Sequence, residues 1–288
     1  MKKYLLLSIV LVTLLSMKND KPAYRLFESN GNKASYKDML KEASEADIVF
    51  FGELHDNPIC HWLEYELTAD LYAERGKNLI LGAEMFESDN QLIVNEYLDE
   101  LIKEKDFESQ ARLWPNYKTD YKRLLNFARD SSLPFIATNI PRRYAAMINK
   151  SGFNALNTLD KNAYQFIAPL PLKYDSTLSC YADMYKMMGD APTHATRNIA
   201  AAQNSKDATM AYFILKNFTK GKTFLHFNGS YHSDKFQSIS WHLKQADPSL
   251  KIVTISSIEQ KDIDELEKKS EGMGNYIIVV PETMSKTQ

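Results

Sequence analysis

Cysteine is scarce: the 288 residues hold two, Cys60 and Cys180. That is too few for a disulfide framework, and their spacing predicts no pairing. Charge of one sign is scarce too. Against 35 Lys+Arg stand 37 Asp+Glu, a formal charge of −2. No overall positive field exists to hold nucleic acid, so none is expected as a partner. Glycine and proline number 10 each, and nowhere do they gather with serine into a linker or low-complexity tract. The chain has no Gly-x-Ser-x-Gly elbow for a serine hydrolase and no Gly-rich phosphate loop. What remains, 44% hydrophobic and 25% charged, is an ordinary globular composition. It excludes a disordered chain, a collagen-like fibre and a multi-span membrane protein, and leaves room for one large domain or two modest ones.

The N-terminus reads as an address. Lys2 and Lys3 precede an apolar run from Tyr4 to Leu15, broken by Ser8 and Thr13, and polar residues 18–21 follow. A basic start and an apolar stretch of this length predict a signal peptide over residues 1–17. The run is short for a spanning helix. Leu14-Leu15-Ser16 begins like a bacterial lipobox, but position 17 is Met, so no thiol is there to acylate. The chain is expected to be exported.

After the leader, strands and helices alternate. Residues 47–52, 78–84, 133–138, 223–228, 252–256 and 276–280 are short apolar runs, the pattern of buried strands. Helical stretches separate several of them. One is expected from Pro58 to Arg75, capped by Asp56 or Asn57 and stopped by Gly76. This order predicts an α/β fold, a mainly parallel sheet flanked by helices. Residues 151–204 show no strand pattern. They are expected as a smaller helical insertion in an α/β domain formed by 22–150 plus 205–288.

The polar groups gather where strands end. The first run closes in Gly52-Glu53-Leu54-His55, the second in Gly82-Ala83-Glu84, the fourth in Asn228-Gly-Ser-Tyr-His232. In a parallel sheet these ends share one edge, the edge at which open α/β sheets bind ligands. Glu53, His55, Glu84 and His232 are therefore expected to converge as a catalytic set, with His55, Glu84 and His232 as candidate ligands of a divalent metal. Neutral imidazole with carboxylate oxygen suits Zn, Fe or Mn rather than Ca. Two carboxylates brought together need a cation, a shared proton or a charged imidazole between them. Gln203 and Asp207, four apart on one helix face, are candidate supporting groups. His61 is another, in the first turns of a helix. His226, inside a strand, and His242, beside Trp241, read as structural.

Four ordered segments carry a resemblance: Phe51-Gly-Glu-Leu-His-Asp-Asn57, Leu81-Gly-Ala-Glu-Met-Phe86, Asn139-Ile-Pro-Arg-Arg-Tyr144, and 202–211. Together they resemble the ChaN family of bacterial haem-binding lipoproteins, within a wider group that includes the TIKI proteases and erythromycin esterases. The resemblance implies haem binding linked to iron uptake, at the periplasm, outer membrane or cell surface. It also implies a homodimer holding haem between subunits and an outer-membrane uptake receptor as partner. Tyr144, Arg142 and His194 are the residues proposed on this basis for haem: a phenolate or imidazole for iron and a guanidinium for a propionate. The wider group implies the alternative, a metal-dependent hydrolase built on the Glu/His set. Two departures stand out. The lipobox Cys is absent, and the segment after His232, Ser-Asp-Lys-Phe236, lacks the Gly-Val-Pro expected near it.

Overall fold

The computed structural model describes residues 21–187 and 198–287. The signal peptide expected at 1–17 and the candidate haem residue His194 lie outside them. Each of the six apolar runs forms a strand, and a seventh joins them in one sheet. In chain order the strands are β1 (Arg25–Glu28), β2 (Ile48–Glu53), β3 (Leu79–Glu87), β4 (Phe135–Asn139), β5 (Thr223–Gly229), β6 (Ile252–Gln260) and β7 (Tyr276–Pro281). Across the sheet the order is β1-β7-β6-β2-β5-β3-β4. β1 runs antiparallel to β7; the other pairings are parallel.

Parallel neighbours need long crossovers, and helices supply most of them. α1 (Tyr36–Ser44) leads into β2, and α2 (Pro58–Arg75) joins β2 to β3. Between β3 and β4 lie α3 (Gln91–Leu98), α4 (Glu104–Gln110) and α5 (Lys122–Asp130). Between β4 and β5 lie α6 (Arg142–Ser151), α7 (Ser179–Met187) and α8 (Ile199–Asn217), and α9 (Ile239–Ala246) joins β5 to β6. β2 and β3 are buried at every position, as strands covered on both faces must be. The two-residue period divides each between two cores. Val49 and Phe51 pack with Leu63, Leu67 and Leu71 of α2 and Leu124 of α5. Ile48 and Phe50 pack with Met210 and Ile214 of α8 and Ile239 and Leu243 of α9.

Local signals fix the helix that matters most for the site. Asn57 caps α2, its side chain accepting from the amides of Ile59 and Cys60 at 3.0 and 3.3 Å, with Pro58 at the first position and Gly76 closing the helix at φ +54°. Opposite it, one turn of π-helix, Tyr117–Tyr121, precedes α5. Among the described residues, the stretch between α6 and α8 holds α7 and two short 3-10 segments, Phe153–Thr158 and Lys161–Phe166, and no strand. Its small core of Leu156, Ala163 and Ile167 closes on Tyr144 and Ile148 of α6 and Ala202 of α8. α8 begins at Ile199 and packs against β4 and α6. The chain thus returns to the sheet layer before residue 205, the boundary expected from sequence.

Candidate functional site

β2, β5 and β3 are adjacent and parallel, so their carboxyl ends open on one edge. Glu53 closes β2. Glu84 stands one position past the last β3–β5 pair, Ala83 with Phe227. Gly229 closes β5, and the short turn Ser230–His232 follows. Glu53, Glu84 and His232 are buried; the side chain of His55 is 44% exposed. They line a cleft of about 610 Å³ with Trp114, Gln203, Lys206 and Tyr231. Two glycines permit the approach. A β-carbon on Gly52 would stand 2.9 Å from Ser230 Cα and 3.1 Å from the Ile255 carbonyl oxygen. One on Gly229 would stand 2.6 Å from His55 Nε2 and 3.6 Å from Glu84 Oε2. His55 and Glu84 therefore meet over the same bare Cα.

His232 is held between two carboxylates. Its Nε2 lies 3.1 Å from Glu84 Oε1 and its Nδ1 2.5 Å from Asp207 Oδ1. Glu84 Oε2 accepts from the Gly229 amide at 2.9 Å, and Asp207 Oδ2 from the Tyr181 hydroxyl at 2.8 Å. Burial disfavours the charged imidazole, but the charges of Glu84 and Asp207 and their hydrogen bonds prevail and raise the His232 pKa to about 9. Burial likewise pushes Glu84 upward, and the charge and hydrogen bond of His232, with the charges of His55 and Lys206, together overcome it, holding the carboxyl well below the usual range. An imidazolium thus stands between Glu84 and Asp207. Gln203, one turn before Asp207 on α8, places its side-chain nitrogen 3.1 and 3.3 Å from the two ring nitrogens, a position against the ring.

Glu53 divides its oxygens. Oε1 accepts from the Tyr121 hydroxyl and from His55 Nδ1, both at 2.7 Å. Oε2 faces His61 Nδ1 at 3.5 Å. His61 Nδ1 is also 3.1 Å from Glu64 Oε2, and its Nε2 is 3.2 Å from the His55 carbonyl. Asn116 donates to that carbonyl at 2.9 Å and to Asp120 at 2.7 Å, which pins the backbone of His55. Burial works against both charges of the Glu53–His55 pair. Their hydrogen bond and the charges around it together outweigh burial, lowering the Glu53 pKa and raising that of His55. Glu64 goes the other way: burial first, then the charge of Glu53, push its carboxyl well above the ordinary value. Neighbouring carboxylates driven apart in this way are the mark of acid–base sites. Trp114, Asn116, Tyr121 and Glu64 were not singled out by sequence. Glu64, three residues after His61 on one helix, had a usable signal; the other three precede or occupy an irregular turn that carries none.

The other candidates find different partners. Tyr144 is buried in the small helical core. The Arg143 guanidinium lies 4.4 Å over its ring and donates to its hydroxyl at 3.1 Å. Arg142 bonds Glu87, Arg143 bonds Asp89, and Arg112 bridges both acids. Tyr144 and Arg142 are the described residues that the resemblance implied for haem. Neither lines the cleft, and the polar groups proposed for iron and propionate are engaged in packing and ion pairs. His226 sits between Thr138 and Asn228 at 2.8 and 3.0 Å, and His242 bonds Asn204 at 3.0 Å; both are structural.

Residues 39–243 match the family model described as haem-binding uptake, Tiki superfamily, ChaN. The chain belongs to this family. Among solved structures, ChaN of Campylobacter jejuni, described for its cofacial haem binding, is similar with a TM-score of 0.68 and 19% identity, over 89% of this chain and 96% of that one. A Bacillus cereus protein aligns with a TM-score of 0.51 and 12% identity, over 90% and 95% of the two chains. At these identities the likeness concerns the fold. The chloroplastic protein RETICULATA-RELATED 5 of Arabidopsis thaliana is 26% identical over 134 residues, 44% of this chain. The chain spans only 18% of that relative's length. The ChaN match takes in every cleft residue described above.

Proposed function

We propose that this ChaN-family member is an exported haem-binding protein of iron acquisition, carrying haem as cargo at the periplasm, outer membrane or cell surface. The observation that carries the reading is the family match over residues 39–243, which spans the whole cleft. The residues present fit the cargo. His55 Nδ1 is occupied by Glu53, while its Nε2 has no hydrogen bond among the described residues. An imidazole oriented by a carboxylate is a more basic ligand through its other nitrogen. Trp114 stands against the His55 ring, centroids 4.9 Å apart, and with Tyr231 gives the cleft aromatic walls. Lys206 supplies a cation for a propionate. The cleft volume falls within the roughly 300–1,000 Å³ typical of ligand sites. In this reading His55 holds the iron and Lys206 orients the macrocycle. A homodimer with haem between subunits, delivering to an outer-membrane receptor, completes the proposal.

The test is a haemin titration followed by the Soret band. His55→Ala should abolish the shift seen for the unaltered chain, and Tyr144→Phe should leave it intact. The reverse result would return the ligand to Tyr144 and sink the cleft assignment. One observation favours a second reading, a metal-dependent hydrolase: the relay Tyr181–Asp207–His232–Glu84 ends on the same cleft as His55, as an acid–base pair would. Stoichiometric metal in the purified protein without a Soret shift would favour it.

A further inference from the structure

Behind the cleft, the buried side chains of Glu53 and Glu64 face His61. One ligand atom from each of the three lies within 4.8 Å of the others, and all three residues are buried. Every atom turned inward is an acceptor or can be one. Glu53 Oε1 already takes two hydrogen bonds on the cleft side, so Oε2 is left to face His61, buried and unpartnered. Glu64 Oε1 is also buried and unpartnered. His61 Nε2 is directed to the His55 carbonyl at 3.2 Å and Asp120 at 3.6 Å. Nε2 therefore donates to that carbonyl, and Nδ1, the atom left to bind an ion once it carries no proton, faces both carboxylates. Asp120 is itself held by Asn116 and by the Thr287 hydroxyl at 2.9 Å. The His55 carbonyl, accepting from Nε2, is the kind of support that metal-bound histidines have on their other nitrogen, and Asp120 stands beside it. A cavity of about 240 Å³, lined by Pro58, His61, Trp62, Asp120 and Arg123, reaches His61 from the surface, and the two carboxylates lie behind that ring.

We propose that Glu53, His61 and Glu64 form a divalent transition-metal site, separate from the cleft and joined to it through the two oxygens of Glu53. One imidazole and two carboxylates suit Mn, Fe or Zn rather than a thiolate-seeking ion. Bonds of about 2.0–2.2 Å at tetrahedral angles set ligand atoms roughly 3.3–3.6 Å apart; His61 Nδ1 already stands 3.1 Å from Glu64 Oε2 and 3.5 Å from Glu53 Oε2, so closure asks mainly that the two carboxylates draw together.

The test loads the full chain with Zn²⁺ or Co²⁺ and measures stoichiometry by dialysis. X-ray absorption of the Zn²⁺ form then counts imidazoles. One ion per chain with one imidazole is expected. Two imidazoles would place the ion on His55 and His232 and overturn the proposal. Glu64→Gln, nearly isosteric, should weaken Co²⁺ binding at least tenfold with unchanged circular dichroism, and Glu84→Gln should retain the ion. No ion on the unaltered chain, or full binding by a folded Glu64→Gln variant, would show that a shared proton alone holds the cluster.

Discussion

A methyl group on Gly229 would meet His55 Nε2 at 2.6 Å. His55 has little room to yield, tied to Glu53 on one side and set against Trp114 on the other. The backbone of Gly229 is unstrained for any residue, at φ −54°, so the penalty of Gly229→Ala is steric alone. Overpacking of this kind costs about 1–3 kcal/mol, readable in urea denaturation, and haemin affinity should fall at least tenfold. Unchanged haemin affinity in a destabilised variant would mean that His55 does not touch the cargo. His232 makes a prediction in pH. Its pKa is raised from 6.5 to about 9, so the folded state binds its proton more tightly than the unfolded chain does. The stabilisation is fully present below about 6.5 and disappears as pH rises through about 9, by about 3 kcal/mol. Glu84, shifted downward, contributes above its ordinary 4.5 and loses that only in acid. Stability measured between pH 6 and about 10 should fall, and more steeply in the unaltered chain than in Asp207→Asn, which removes one of the carboxylates holding the proton. Parallel slopes would show that Asp207 leaves the His232 proton affinity untouched.

Elements place these residues, and their placement was readable to different degrees. The six apolar runs announced themselves because a strand buried on both faces is apolar throughout. β1 did not: four residues, Arg25–Glu28, with one buried pair between exposed or half-exposed ends, are too short for a period to register. The π-turn at Tyr117–Tyr121 was equally silent, because its register shift comes from packing over the site rather than from local propensity. α8 illustrates the opposite case. Its buried residues run from Ala200 to Ile214 around much of the helix, since it lies between the sheet and the smaller helical core. Even so, the i, i+4 spacing of Gln203 and Asp207 put both on the His232 side, as the sequence suggested. α2 carries His61 and Glu64 in its first two turns, so its N-cap positions them. Asn57→Ala removes the acceptor for two amides and should cost about 1 kcal/mol, with Asn57→Asp restoring most of it. Equal urea midpoints for all three chains would refute a capping role.

At the scale of the whole molecule, the convergence of Glu53, His55, Glu84 and His232 followed from topology: parallel strands joined by helices must end on one edge. What topology could not show was the next layer out, the choice of Tyr181 for Asp207 and of Tyr121 for Glu53. Those contacts depend on how α7, α8 and the π-turn dock, which is a matter of side-chain packing with no linear signature. The same scale explains why the unforeseen β1 matters. β7 follows β6 in the sheet and would be its outer strand, with a row of unpaired amides and carbonyls, had the N-terminal segment not returned to cover it. Phe27 secures that cover: it is 1% exposed and packs with Ile263, Ile277 and Val279 in a cluster apart from the two main cores. Phe27→Ala deletes a buried ring and should cost about 3–5 kcal/mol, a large share of the roughly 5–15 kcal/mol that holds a domain folded. The loss should be local in its first effect. β6 and β7 lie between β1 and β2, so β7 amides should lose hydrogen-exchange protection before those of β2 and β5, and the bared edge should promote self-association. Haemin binding by the fraction still folded should match the unaltered chain, because the cleft draws on β2, β3 and β5. A cost below about 1 kcal/mol, or simultaneous loss of protection across all seven strands, would show that β1 is not a separate cover for the sheet edge.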